Sequence, residues 1–386
     1  MAAILPKTLL PQVPVWDLFC RVIDNYGDAG VCWRIARMLA AEHQLPVRLW
    51  IDRPQTLQAL LPGFDAAAEV QRIEGVTVCD WSRLAPQPQA AVVVIEAFGC
   101  GLPEDYVAAM AAMPQPPQWI VLEYLSAEDW VDGHHGLASP HPRLPLQRWF
   151  FFPGFGANTG GLPREHDLLA RRDAFDAAAF WQGLGFAPPV PDSVTASVFA
   201  YADAPLPALI DACIAAGEPS VLALPEGVMA DAARKHVAAD AAVTSLRRGA
   251  LELRWLPFLP QRRYDELLWA CDCNFVRGED SFIRAQWAAK PLVWQPYRQQ
   301  DNVHAGKLAA FASRYAAGMA ADAAAAWSGL QRCWNEADAP ALAAAWACWR
   351  GQGKALISHA EGWSASLTAG PELVAALVEF ARGKVK

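Results

Sequence analysis

Two carboxylates stand four residues apart in the stretch VIDNYGDAGVCW, Val22 to Trp33, as Asp24 and Asp28, interleaved with Gly27 and Gly30. The stretch follows an apolar run, VWDLFCRVI, and precedes a helical pattern. In open α/β sheets that position, beyond the carboxyl end of a strand, faces the ligand crevice. Glycines there permit tight turns and close backbone approach. The spacing is neither GxGxxG nor the GK[ST] of a P-loop. Electrostatics also disfavours a diphosphate, which two carboxylates repel. At an effective dielectric near 20, unit charges 4 Å apart interact by about 4 kcal/mol. The segment therefore suits a cationic or proton-donating acceptor group. The plainer alternative is that Asp28 caps the following helix and Asp24 is a turn residue.

A second stretch, CNFVRGEDSFIRAQWA, reads as a strand, Cys273 to Val276, then Arg277-Gly278-Glu279-Asp280-Ser281, then a helix. A helix N-terminus offers unpaired N–H groups and a positive dipole end, which suits phosphate. Ser281 can add a hydroxyl and Arg277 a bidentate clamp. Glu279 cannot hold an anion directly. It can accept hydrogen bonds from sugar hydroxyls, orient Arg277, or act on the reacting group. The structural alternative is a capping-box variant with a surface ion pair. In the flanking segments Phe258 can stack on a base, Gln261 can read its polar edge, and Tyr297 can reach the ribose or phosphate. Core packing is the ordinary role of Phe258. His134, His135 and His141 lack HExxH spacing, so no metal centre is expected. No GxSxG is present, and no cysteine sits in a nucleophile signature.

Alternating strand and helix patterns position these residues. VWDLFCRVI, PVRLWID, QAAVVVIEAF and QWIVLEYL read as strands. GVCWRIARMLAAEH reads as a helix with Val31, Ile35, Met38 and Leu39 on one buried stripe. A second series starts near residue 193, with strands in SVTASVFAYA, PSVLALPE, LELRWLPFL, CNFVRG and KPLVWQPY. The expected fold class is α/β, with two Rossmann-like domains facing a cleft. The Pro/Gly-rich stretch WQGLGFAPPVPDSV serves as the linker, which places one domain at 1–185 and a second at 186–365. The terminal segment 366–386 contains an amphipathic helix expected to cross back onto the first domain. A binding protein, a dehydrogenase and a GT-B glycosyltransferase all fit this outline, so function must be argued from the loops.

Composition narrows the classes further. The 386 residues, 54% of them hydrophobic, suffice for two domains with substantial cores. The net charge of −8, without a long basic run, argues against nucleic acid and is compatible with a basic protein or cationic partner. No apolar stretch is long enough to span a membrane. The N-terminal MAAILPKTLLPQVPVW lacks a continuous apolar run and reads as a lead-in to a strand, so a cytoplasmic protein is expected. Nine scattered cysteines without CxxC read as reduced, mostly buried thiols, and the 17 tryptophans as core.

With these loops in view, the chain resembles the EarP family of elongation factor P arginine rhamnosyltransferases. The resemblance rests on FCRVIDNYGDAGVCWRIARMLA, LEYLSAEDWVDGHHGL, FFFPGFGANTGGLPRE and FLPQRRYDELLWACDCNFVRGEDSFIRAQWAAKPLVWQPYRQQDNVH, in that order, over roughly residues 15 to 380. It implies an inverting GT-B enzyme that moves rhamnose from dTDP-β-L-rhamnose to one arginine of elongation factor P. It also implies that the domain at 1–185 binds the acceptor and the domain at 186–365 the nucleotide sugar. Asp28 then corresponds to the proposed general base, Asp24 to its partner aspartate, and Glu279 to the essential glutamate of RGEDS. Asn25, Tyr26 and Gly27 fall in the donor-contacting loop with Asp28. Tyr201, Gln261, Arg277, Gly278, Glu279, Asp280 and Ser281 match donor-binding positions, and Phe258 and Tyr297 match aromatics near the nucleotide. No cofactor and no metal are implied beyond the donor substrate. The alternatives are another GT-B enzyme with a small-molecule or lipid acceptor, and a non-catalytic nucleotide-sugar-binding protein.

Overall fold

A computed structural model describes residues 3–4, 16–86, 88–298 and 302–384. Most of the N-terminal lead-in, and Gln299, Gln300 and Asp301 of the QPYRQQDNVH segment, lie outside the described residues. The chain divides into two compact units, 1–166 with 369–386 and 167–368.

Among the described residues the first unit has nine strands: β1 (Ala3–Ile4), β2 (Trp16–Cys20), β3 (Val47–Ile51), β4 (Val70–Ile73), β5 (Val76–Asp80), β6 (Val93–Ala97), β7 (Gln118–Leu122), β8 (Ala138–Pro140) and β9 (Gln147–Phe151). Their order is β1-β4-β5-β3-β2-β6-β7-β9-β8. The interior pairs are parallel, and antiparallel strands close both edges. The central strands β2, β3 and β6 are buried at every residue, as expected of a parallel sheet covered on both faces. Strand order reverses at β2, which lies between β3 and β6. A ligand crevice forms at such a switch point, outside the carboxyl ends.

After β2 the chain turns directly into the helix Asn25–Ala41. The residues expected as a loop, Gly27, Asp28 and Gly30, are therefore helical, and the loop is only Arg21 to Asp24. The expected stripe of Val31, Ile35, Met38 and Leu39 is buried, but so are Cys32, Trp33 and Ala36 on other faces. The sheet covers one side of this helix, and the helix Leu373–Lys384 touches another. Even Arg34 is 0% exposed. Glu165 holds its guanidinium with two bonds, Nε to Oε1 at 3.0 Å and Nη2 to Oε2 at 2.5 Å. Such bidentate pairing is what makes a buried guanidinium tolerable.

Among the described residues the second unit has six strands: β10 (Val194–Val198), β11 (Ser220–Pro225), β12 (Ser245–Arg248), β13 (Leu251–Leu256), β14 (Cys273–Arg277) and β15 (Leu292–Gln295). Their order is β12-β13-β11-β10-β14-β15, parallel except for β12. The switch point lies between β10 and β14.

The unit boundary falls at 166/167, not at the expected 185/186. Phe180 and Trp181, on the helix Ala177–Gly183, pack with Leu256, Leu259 and Leu267 of the second unit. The guanidinium of Arg254 lies 4.9 Å from the Trp181 ring. Large apolar anchors thus assign the segment, and the Pro/Gly-rich stretch is a surface excursion within the second unit. At the other end, residues 369–386 return to the first unit. Leu373, Val374, Leu377, Val378 and Ala381 are buried there, and Phe380 meets the Phe151 ring edge-on at 5.5 Å. The return is tight: a Cβ on Gly161 would sit 1.8 Å from the carbonyl oxygen of Pro371.

Candidate active site

Asp28 lies one helical turn inside the helix that follows β2 and is 1% exposed. Its Oδ2 accepts hydrogen bonds from the N–H of Ile23 at 2.8 Å and of Asp24 at 2.9 Å. The side chain therefore does cap the helix, reaching back over its own first turn to donors that precede it. Its Oδ1 accepts from the Tyr124 hydroxyl at 3.1 Å. Asp24, the N-cap residue, is half-buried and makes no side-chain capping bond. Its carboxylate lies over Gly27, where a Cβ would stand 2.9 Å from Asp24 Oδ2. The close approach at Gly27 is thus to the Asp24 side chain, and its backbone is not left-handed. Asn25 is the first helical residue, and Tyr26 and Gly27 are half-buried beside the two aspartates.

Tyr124, just beyond β7, was not among the residues singled out from sequence. Its ring stacks on Phe98 at 4.3 Å and 8°. Phe98 follows β6 with a left-handed φ of 58°. The loops after β2, β6 and β7, neighbours in the sheet, therefore converge on Asp28. Only strand order makes them neighbours, so spacing along the chain carried no signal for Tyr124.

In the second unit the loops after β10, β14 and β15 play the corresponding part. The Arg277 guanidinium lies 4.4 Å from the Phe199 ring and 4.8 Å from the Tyr201 ring, and donates to the Ala200 carbonyl at 3.2 Å. Tyr201 meets Tyr297 edge-on at 5.8 Å, and Tyr297 is 45% exposed. Gln295 ties this wall together, accepting from the Tyr201 N–H at 2.8 Å and donating to Asp203 at 2.9 Å. The result is a cation held among aromatic rings at the carboxyl edge of the sheet.

Gly278 takes a φ of 55°, Glu279 is the half-buried N-cap, and the helix runs Asp280–Trp287. Ser281 lies inside this turn. Its hydroxyl donates to the Arg277 carbonyl at 2.6 Å and accepts from the Arg277 N–H at 3.0 Å. A hydroxyl has one donor, and here that donor locks the turn. Asp280 likewise faces inward, accepting from Arg284 Nε at 2.8 Å and Gln261 Nε2 at 3.2 Å. Gln261 is buried, and its amide braces this turn. Phe258 is half-buried, and its N–H donates to Glu226 at 3.3 Å.

The histidines have separate local partners. His134 Nδ1 is 2.7 Å from the Trp130 carbonyl, His135 Nδ1 accepts from the Phe152 N–H, and His141 Nδ1 accepts from Arg143 and Leu144. Among the described residues no group of three or more His, Cys, Asp or Glu side chains is placed to hold a metal ion. The nine cysteines are free thiols, and eight are buried.

The family model for Elongation-Factor P (EF-P) rhamnosyltransferase EarP matches residues 16–382. The chain belongs to this family. A protein-arginine rhamnosyltransferase of Pseudomonas putida is 48% identical over 378 residues, covering 96% of this chain and 99% of the relative. One from Pseudomonas aeruginosa is 45% identical over 372 residues, covering 95% and 98%. A solved structure concerning EarP-mediated arginine glycosylation of translation elongation factor EF-P is 36% identical, with a TM-score of 0.67 over 96% of this chain and 99% of that one. Spinosyn rhamnosyltransferase SpnG, complexed with thymidine diphosphate, shares the fold at 14% identity and a TM-score of 0.50, over 94% of this chain and 99% of its own. The two Rossmann-like units of this EarP family member are those of a GT-B glycosyltransferase.

Proposed function

We propose that this EarP family member transfers rhamnose from dTDP-β-L-rhamnose to an arginine side chain of elongation factor P, with inversion and without a metal ion. The observation that carries this reading is the Asp24–Asp28 pair at the β2 switch point, with Asp28 held by three hydrogen bonds. Its context is a chain 48% identical to a protein-arginine rhamnosyltransferase.

Arginine is a cation with a pKa above 12, and its lone pairs are delocalised. Carboxylates can grip the guanidinium, aim one nitrogen at the anomeric carbon and receive its proton. Because a carboxylate is far too weak a base to deprotonate arginine beforehand, proton loss accompanies attack late in the transition state. The new bond joins the guanidinium nitrogen to the anomeric carbon. The bond from that carbon to the diphosphate oxygen breaks, the electron pair leaves with dTDP, and the proton passes to Asp28. Arg277 and the N–H groups opening the helix Asp280–Trp287 supply positive potential for the leaving diphosphate. Ser281 serves by holding that turn, and Glu279, its N-cap, is within the same loop to meet the sugar. A translation factor as acceptor makes the reaction cytoplasmic.

Purified protein incubated with dTDP-β-L-rhamnose and elongation factor P should add the mass of one deoxyhexose to a single arginine. An acceptor of unchanged mass, with both proteins folded, would refute the reading. Transfer to small acceptors instead would favour another GT-B activity, and dTDP binding without any transfer a binding protein.

A further inference from the structure

We propose that Tyr124 is a positioning residue that makes Oδ1 of Asp28 the oxygen that meets the acceptor nitrogen, with Phe98 as its buttress. The proposal rests on the transferase reading above. An ionised carboxylate has about four lone-pair sites. Two of them, on Oδ2, are taken by the N–H groups of Ile23 and Asp24. A third, on Oδ1, is taken by the Tyr124 hydroxyl at 3.1 Å. Among the contacts of the described residues, the remaining site is on Oδ1. The hydroxyl therefore pins the reacting end of the carboxylate, as the two amides pin the other end.

The placement of Tyr124 depends on a feature that packing alone does not require. Phe98 adopts φ 58° directly after β6, and Gly99 follows at φ 59°. A left-handed backbone is unfavourable for a bulky residue, and such strain concentrates where a side chain must be aimed. The turn is braced on both sides: the Phe98 N–H donates to the Leu122 carbonyl at 2.6 Å, and the Gly101 N–H to Glu96 at 2.8 Å. Its consequence is the stacked contact between the Phe98 and Tyr124 rings.

The test compares wild type, Tyr124→Phe, Phe98→Leu and Phe98→Trp in the full chain, with dTDP-β-L-rhamnose and elongation factor P. Tyr124→Phe is expected to stay folded, to keep its donor KM within about twofold, and to lose about 10- to 100-fold in kcat. Phe98→Leu should lose less in kcat, and Phe98→Trp, which restores a stacking ring, should recover most of it. A Tyr124→Phe enzyme with wild-type kcat overturns the positioning role while leaving the transferase reading intact. So does a variant whose whole loss lies in donor KM. An inactive wild type overturns the transferase reading itself and this inference with it.

Discussion

A nearly inaccessible carboxylate survives folding only when its lone pairs are met by donors. Asp28 meets that condition with two backbone amides and a phenol, so capping and catalysis are compatible roles for one side chain. This makes its variants informative. Asp28→Asn keeps an oxygen for the Ile23 and Asp24 amides, so it should fold and bind dTDP normally. Transfer should fall by at least about 100-fold, since the charge and the proton acceptor are gone. Calorimetric titration with dTDP beside a transfer assay checks both halves, and near-normal turnover would remove the base role. His135 offers a pH prediction. Burial lowers its pKa below the usual 6.5, and its Nδ1 must stay unprotonated to accept from Phe152. The unfolded chain then binds the proton more readily, so this contribution is complete above about pH 6.5 and declines as pH falls below it. Denaturant midpoints at pH 7.5 and 5.5 should fall further for wild type than for His135→Gln. Equal falls would exclude His135 as a source.

At the scale of the element, the turn from β14 into the helix Asp280–Trp287 is held by charges hidden from solvent. Arg284, 1% exposed in its side chain, bridges Asp280 at 2.8 Å and Asp265 at 2.9 Å. Replacing it by methionine fills similar volume but leaves two carboxylates without their nearest cation. Breaking a buried pair in this way costs about 3–5 kcal/mol. We expect Arg284→Met to lower stability on that scale and to weaken dTDP binding through the loosened turn, with acceptor affinity unchanged. Urea unfolding and dTDP titration measure the two effects, and unaltered donor affinity would show that the turn does not depend on the bridge. The strand and helix cores on either side of this turn were legible in sequence to within a few residues, because buried parallel strands are continuous apolar runs. Ser281 was not. A serine at a helix start looks the same whether its hydroxyl faces a ligand or the preceding carbonyl, and only backbone geometry distinguishes them.

For the whole molecule, the return of the C-terminal helix has an energetic consequence. Leu373, Val374, Leu377 and Val378 are all buried in the first unit. At about 1.5–3 kcal/mol for each such side chain, their sum rivals the about 5–15 kcal/mol that stabilises a typical domain. A chain ending at Thr368 should therefore lose the cooperative unfolding of the first unit, while the second, 167–368, still melts and binds dTDP. Scanning calorimetry with and without dTDP checks this, and an intact first transition would mean the helix is dispensable. Amphipathic patterning marks the terminal helix in the sequence, and residues 369–386 group with the first unit. The boundary was not legible there, because Pro/Gly content marks where a chain is irregular and not where its apolar anchors are buried. Phe180 and Trp181 decided that question through the core they entered.

The sequence by itself determined the two α/β halves, the strands β2, β3, β6, β7, β10, β11, β13, β14 and β15, and the two short stretches that hold Asp24, Asp28 and Arg277 to Ser281; the short strands β1, β4, β5, β8, β9 and β12 were not legible in it. The features it determined are local properties, set by apolar periodicity and by residue types that the chain presents whatever it packs against. Tertiary structure alone decided that β2 lies between β3 and β6, and hence that Phe98 and Tyr124 reach Asp28. It also decided that the Ser281 hydroxyl and the Gln261 amide brace the turn. Strand order and the direction of a buried hydrogen bond depend on residues about a hundred positions apart or on backbone angles, and neither is written in local spacing.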